Sequence, residues 1–398
     1  MTSLTHTLKA EAYRLGFHLV GVTTPQPPTH FSVFENWLLQ GRHGEMDYLA
    51  TGRSRRCRAA PKQVLPECES ILVLGIRYPA PLETTPATQI GVLSGRVASY
   101  AWGEDYHDVL AGRLDALANF TEAMVGHPVP SRWYTDTGPI MERDLAQRAG
   151  LGWIGKNTCL INPHLGSYFF LAEILLGVLL EPDQPFSADH CGSCIRCIEA
   201  CPTACILPDR TLDASRCISY LTIELKGPIP KVLRPLANNW VFGCDICQQV
   251  CPWNSRAIVS GQAQPFEPVF TTREDIPQPD LNREIKLSAQ AFNLRFRGSP
   301  VKRAKRSGYL RNVAVALGNT RNPAAVPDLI QALTSEPDPL VRCHAAWSLG
   351  QIGGPKAQWA LQHAVKNEMD PEVRLEIRDG AGLFLTINGG IYRIDYFE

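Results

Sequence analysis

The chain has 398 residues, 44% of them hydrophobic, with 39 basic side chains against 39 acidic ones and no net charge. That length is too great for a small electron carrier and suggests two or three packed domains. Charge balance argues against indiscriminate polyanion binding by the whole surface, and the most apolar segment, from Tyr168 to Leu180, carries Glu173 and falls short of the ~20 residues that cross a bilayer.

In chain order, Leu4, Leu8, Ala12 and Leu15 recur at helical spacing, and His18 to Val22 reads as a short strand. Ser70 to Arg77, SILVLGIR, has the pattern of a buried strand that stops before Pro79. Residues 80–92 are rich in Pro and Thr and read as a loop. Tyr106 to Met124 is helix-like, and Arg132 to Thr135 is a strand running into the turn Asp136-Thr137-Gly138-Pro139. This alternation of helix and strand predicts an α/β catalytic domain over residues 1–180. GLGWIG, Gly150 to Gly155, lacks the strand-then-GxGxxG context, and there is no Walker loop, so the simplest nucleotide-cofactor sites are absent. The first twenty residues lack the pattern of a secretory leader.

Nine of the thirteen cysteines lie between Cys191 and Cys251, and eight of them, all but Cys205, fall in a double pattern. CGSCIRCIEACP sets Cys191, Cys194, Cys197 and Cys201 at x2, x2, x3 spacing before Pro202, the bacterial ferredoxin run. CDICQQVCP supplies Cys244, Cys247 and Cys251 before Pro252, and Cys217 is the natural fourth member. A tight loop wraps only three corners of a cubane, so the last cysteine of each run crosses to the other cluster. One [4Fe-4S] cluster is therefore expected on Cys191, Cys194, Cys197 and Cys251, and the other on Cys201, Cys217, Cys244 and Cys247. Zinc on paired CxxC motifs is the competing assignment. Cys57, Cys68, Cys159, Cys205 and Cys343 read as scattered buried thiols, with Cys205 the doubtful one because it lies so near Cys201. A ferredoxin-like two-cluster domain is expected over 181–256, and its need for reduced thiols implies a cytoplasmic protein.

From Ile285 to Pro327 there is no Asp or Glu, while Lys286, Arg295, Arg297, Lys302, Arg303, Lys305, Arg306, Arg311 and Arg321 fall inside that stretch. Such a run is either a solvated face or a phosphate-docking footprint. It makes a basic connecting segment over 257–307. Beyond it, Gly318 and Gly350, Asp338 and Asp370, Pro339 and Pro371, and Arg342 and Arg374 recur about 32 residues apart, the mark of helix pairs that must stack to bury their faces. An α-helical HEAT-like repeat domain is expected over 308–398, packed on the cluster domain.

The segment WYTDTGPIMERDLAQRAGLGWIGKNTCLI, Trp133 to Ile161, with Gly166-Ser167, SYAWGEDYH at Ser99 to His107 and the two cysteine runs, resembles the epoxyqueuosine reductases over nearly the whole chain. The resemblance implies a cobalamin held between the α/β domain and two clusters that feed it electrons. It also implies reduction of epoxyqueuosine to queuosine at the anticodon wobble position of a tRNA. An external donor such as a ferredoxin or flavodoxin would supply the electrons, and the protein would act as a monomer off the membrane.

Residue by residue, the resemblance makes Asp136 the proton donor. Holding a proton at neutral pH means lifting a carboxyl from its usual value of about 3.9 by burial. Arg58 aligns with an arginine near the cobalamin, and Ser219, Cys244 and Asp245 lie where the cluster domain approaches it. Lys156 and Asn157 are candidates for its amides. Ser99 stands where some relatives have cysteine. His107 is either a proton relay or a half-buried histidine. Lys226, Lys302, Arg303, Lys305 and Arg306 are candidates for tRNA phosphates, which position a nucleic acid without reading its sequence. Two other readings remain open on the residues: a reductive dehalogenase-like cobalamin enzyme for a small molecule, and a cluster electron-transfer protein with a HEAT docking scaffold.

Overall fold

The computed structural model describes residues 3–81, 93–259, 265–382, 384–387 and 390–393. The Pro- and Thr-rich loop expected over 80–92 falls largely outside them. The chain forms two compact units. The first comprises Met1–Thr85, Ser99–Cys217 and Asp245–Thr272, and the second Pro86–Ala98, Ile218–Cys244 and Arg273–Glu398.

In the first unit, strands β1 (Leu19–Thr23), β2 (Ser70–Arg77), β3 (Ser131–Tyr134) and β4 (Phe169–Leu176) form one sheet in the order β1-β2-β4-β3. Every pairing in it is antiparallel. The unit is therefore α+β in its strand directions, where the helix and strand alternation suggested α/β. Alternation fixes which segments are strands but not which way each re-enters the sheet.

All eight residues of β2 are buried, and period-2 alternation explains how. Leu72, Leu74 and Ile76 face a core with Leu8 and Ala12 of α1 (Leu4–Arg14). Ile71 and Val73 face a second core on the opposite side of the sheet. Helix α2 (Gly52–Ala59) carries Arg58. Helix α3 (Tyr106–Val125) adds Leu110, Leu114 and Leu117 to the first core, and α4 (Glu142–Arg148) adds Leu145 and Ala146 to the second.

The second unit centres on α5 (Lys305–Thr320), whose residues from Gly308 to Gly318 are all buried. Two of these are polar and fully satisfied. Arg311 donates to the carbonyls of Leu221, Leu225 and Gly227, and Asn312 to those of Thr222 and Val241. The segment Ile218–Cys244 is thus stitched to the repeats, within a region that the sequence assigned wholly to the cluster domain.

Helices α6 (Val326–Ser335), α7 (Pro339–Ile352), α8 (Pro355–Asn367) and α9 (Pro371–Gly380) complete the stack. The repeated landmarks have structural reasons. Asp338 and Asp370 are the N-caps of α7 and α9, with Pro339 and Pro371 directly behind. A Cβ on Gly318 would lie 2.8 Å from that of Ser348, and one on Gly350 would lie 2.7 Å from the Gly380 Cα, so both glycines permit close helix contact.

Candidate active site and cluster-binding runs

At the end of β3 the chain makes a tight turn. The Thr137 amide donates to the Thr135 carbonyl at 2.6 Å, and Asp136 between them has φ +60°, a γ-turn of the rare positive-φ kind. Buried Thr135 anchors the turn by donating its hydroxyl to the Leu171 carbonyl of β4 at 2.8 Å. Gly138 packs so tightly that a Cβ there would stand 2.5 Å from the Tyr134 ring. Arg58, half-buried and hydrogen-bonded to the Ser54 hydroxyl, donates to the Gly138 carbonyl at 3.3 Å. The structure thus brings Arg58 and the Asp136 turn together.

The start of α3 delivers two more groups to Asp136. Asp105 caps the helix by accepting from the His107 amide, and it also accepts from His107 Nδ1 at 2.7 Å. This orients Nε2 towards Asp136 Oδ2, 3.8 Å away, while the Tyr106 hydroxyl donates to the same oxygen at 2.8 Å. Burial alone would lower the imidazole pKa, but the bonds and charges of Asp105 and Asp136 lift it to about 9, so it is an imidazolium at neutral pH. Of the two readings of His107, the geometry favours contact with Asp136 over a plain packing role.

Burial was expected to keep Asp136 protonated, yet its side chain is 65% exposed. Two further carboxyls lie behind it, Glu142 half-buried and Glu173 buried. Glu142, first residue of α4, accepts from the Asp136 amide at 2.6 Å; burial and the Asp136 charge push its pKa up to about 7, against the pull of Arg143 and Arg58. Glu173 on β4 is fully buried, with neither oxygen hydrogen-bonded among the described residues, and burial followed by the charges of Glu142 and Asp136 holds it well above the carboxylate range. Sequence reasoning did not single out Tyr106, Glu142 or Glu173. The DYH and DTGPIMERD strings were its available signals.

A run of rings, Tyr168, Tyr78, Phe170, Tyr106 and His107, stands in successive contact. At its far end buried Asp245 accepts from the Ser99 amide at 2.7 Å. Ser99 Oγ and Tyr168 OH are buried without a hydrogen-bond partner among the described residues.

None of the thirteen cysteines is in a disulfide. Cys191 and Cys251 pack with Trp153, whose indole donates to Cys191 Sγ at 3.4 Å. Cys201 Sγ lies 3.4 Å from Cys205 Sγ, so Cys205 belongs to the first run's surroundings. The Cys159 thiol hydrogen-bonds with Cys247, which corrects its reading as a scattered thiol. Cys57, Cys68 and Cys343 are buried apart from the runs. Cys244 ends the last segment of the second unit before Asp245, and Ser219 also belongs to the second unit.

Lys156 donates to the carbonyls of Gly192 and Cys194 at 2.7 and 3.0 Å, and Asn157 donates to that of Cys247 at 3.5 Å. Both brace the cysteine runs, where they were expected to hold cofactor amides. Folding supplies the acids missing from the basic stretch. Lys286 pairs with Asp328, Arg295 with Glu284, Arg303 with Glu224 and Arg306 with Glu336. Lys226, Lys302, Arg303 and Lys305 are exposed. Arg306, by contrast, is a structural cation, also bonded to the Leu287 carbonyl, and Arg311 is buried.

Known proteins account for this arrangement. The model described as "Epoxyqueuosine reductase QueG, DUF1730" matches residues 58–137, a 4Fe-4S double cluster binding domain matches 190–254, and HEAT repeats match 305–380. The double-cluster match decides between cubanes and zinc. An epoxyqueuosine reductase of Pseudomonas aeruginosa is 41% identical over 88% of this chain and 95% of its own, and one of Escherichia coli is 36% identical over 88% and 90%. A solved epoxyqueuosine reductase bound to an epoxyqueuosine-modified stem loop of tyrosine tRNA superposes with a TM-score of 0.85 at 32% identity, over 95% of this chain and 98% of that one. A Bacillus subtilis epoxyqueuosine reductase with its catalytic aspartate loop swung out of the active site gives the same figures. With the Asp136 turn, the paired cysteine runs and the helical repeats each matched in one order along one chain, this protein belongs to the epoxyqueuosine reductase family.

Proposed function

We propose that this protein reduces epoxyqueuosine to queuosine in the anticodon loop of a tRNA, with Asp136 as proton donor. The observation that carries this is the Asp136 carboxylate, presented on a constrained turn and flanked by a phenol and an imidazolium, in the same compact unit as seven of the eight cluster cysteines. Opening an epoxide to an alkene and water takes up two electrons and two protons. The oxygen must be protonated as it leaves, since an alkoxide is a poor leaving group. Asp136 passes on a proton that the His107 imidazolium beside Oδ2 supplies.

The thiols suit two cubanes. The presence of Cys251 and Cys191 in one hydrophobic cluster around Trp153 supports the crossed set Cys191, Cys194, Cys197 and Cys251, which leaves Cys201, Cys217, Cys244 and Cys247 for the second. Cobalamin fits the same region, because Ser99 Oγ and Tyr168 OH, without a partner among the described residues, suit a ligand rimmed with amides. When bound it would supply low-potential electron chemistry at the epoxide carbon. Arg58 and Asp245 would border it, and Lys156 and Asn157 would hold the cluster loops instead. An external ferredoxin- or flavodoxin-like donor would reduce the clusters. Lys226, Lys302, Arg303 and Lys305 would contact tRNA phosphates.

Replacing Asp136 with Asn tests the assignment. The variant should bind cobalamin and an anticodon stem-loop as the wild type does, while queuosine formation falls by at least about 100-fold. Turnover near the wild-type rate would remove Asp136 from the chemistry.

A further inference from the structure

The turn that carries Asp136 cannot satisfy its own backbone. Its internal bond uses the Thr137 amide and the Thr135 carbonyl, which leaves the Asp136 N–H pointing out of a conformation that L-residues adopt at a cost. The acceptor for that N–H comes from a different element. Glu142 Oε1 lies 2.6 Å away, and Glu142 is rooted by the first turn of α4, whose Leu145 and Ala146 are buried in the second core.

We propose that Glu142 is the positioning latch of the active site, fastening the strained Asp136 turn to α4 so that the carboxylate is held for the reaction. Arg58, donating to the Gly138 carbonyl from α2, is the second fastening of the same turn. The inference rests on Asp136 as proton donor only for its effect on turnover. The latch itself is a statement about the turn.

Several features favour Glu142 in this role over a plain capping carboxylate. A bond from an amide to an ionised carboxylate is stronger than one to a neutral acceptor. The charged and titratable groups that face Glu142 are Asp136 of the turn, Arg58 of α2, Tyr106 of α3, Glu173 of β4 and Arg143 of its own helix. Burial and the Asp136 charge oppose its ionisation, and the Asp136 amide and two guanidiniums favour it, which leaves its pKa at about 7. The latch is therefore strongest above neutrality and loosens as Glu142 gains a proton below it.

The test is amide hydrogen exchange on the metal-loaded protein, read in the peptide that spans residues 134–141, alongside steady-state turnover of an epoxyqueuosine stem-loop. In Glu142→Ala the Asp136 amide should exchange at least about tenfold faster, the loss expected for a charge-assisted bond, and kcat should fall with little change in KM. Glu142→Gln keeps an acceptor oxygen and cannot titrate. Its neutral oxygen should protect the amide less than the ionised carboxylate does but more than alanine, and kcat should lie between the two without the fall predicted for the wild type below pH 7. Unchanged exchange in Glu142→Ala, or loss of protection in Glu142→Gln equal to that of the alanine variant, overturns the latch. Faster exchange with unaltered turnover leaves the latch standing and counts instead against Asp136 as the donor.

Discussion

Glu173 sets the electrostatic floor beneath the site. It pairs across the sheet with Val73 and Tyr134, so period 2 turns it towards the second core, among Leu145, Leu171 and Leu175. A carboxyl there stays protonated when folded but ionises in the unfolded chain above its ordinary value. The native state therefore holds the extra proton, and stability falls as pH rises above about 4.5. Glu173→Gln removes that dependence. Thermal melts of the metal-loaded variant should show a midpoint advantage over wild type that grows from pH 5 to pH 8, and a constant difference would contradict the assignment. Little of this was legible in the sequence. DTGP and the cysteine runs announce themselves through spacing, but Tyr106, Glu142 and Glu173 reach Asp136 from α3, α4 and β4, and only the tertiary fold makes them neighbours. Likewise Lys156 and Asn157, read as cofactor ligands, turned out to face the cysteine loops.

At the scale of elements, the basic stretch divides where it enters α5. Lys302 and Lys305 are exposed and have no ion pair among the described residues, whereas Arg306 makes two bonds to Glu336, whose side chain is only 8% exposed. Replacing Lys302 and Lys305 together with Ala should weaken stem-loop binding and lower the salt slope by about two, one for each phosphate contact. Arg306→Ala should instead lower stability by on the order of 2–4 kcal/mol, because it strands a buried carboxylate, and should leave the salt slope unchanged. Fluorescence-anisotropy titrations from low to high salt, with thermal melts, separate the two effects. Loss of the stretch's acids was a true feature of the sequence but a misleading one, since Glu224, Glu284, Asp328 and Glu336 arrive from outside it. The repeats were read more securely. Their caps and contact glycines must recur wherever helices stack with the same geometry, so the period survives in the chain itself.

For the whole molecule, the sequence divides into successive domains, while the contacts divide it differently. Arg311 and Asn312 of α5 bind the carbonyls of the Leu221–Gly227 turn and Val241, so residues lying between Cys217 and Cys244 belong with the repeats. Linear order could not show this, because a buried arginine reads as one more cation. The antiparallel sheet was hidden for a related reason, as strand direction depends on long connections without local signature. The account as a whole stands on the chain's action on one modified nucleoside. The most direct measurement incubates the anaerobically reconstituted protein, loaded with both clusters and cobalamin, with reductant and an epoxyqueuosine-bearing anticodon stem-loop, then identifies the released nucleosides by mass spectrometry. Conversion of epoxyqueuosine to a product lighter by one oxygen atom, queuosine, is the result predicted here; unaltered epoxyqueuosine from fully loaded protein that binds the stem-loop would contradict it.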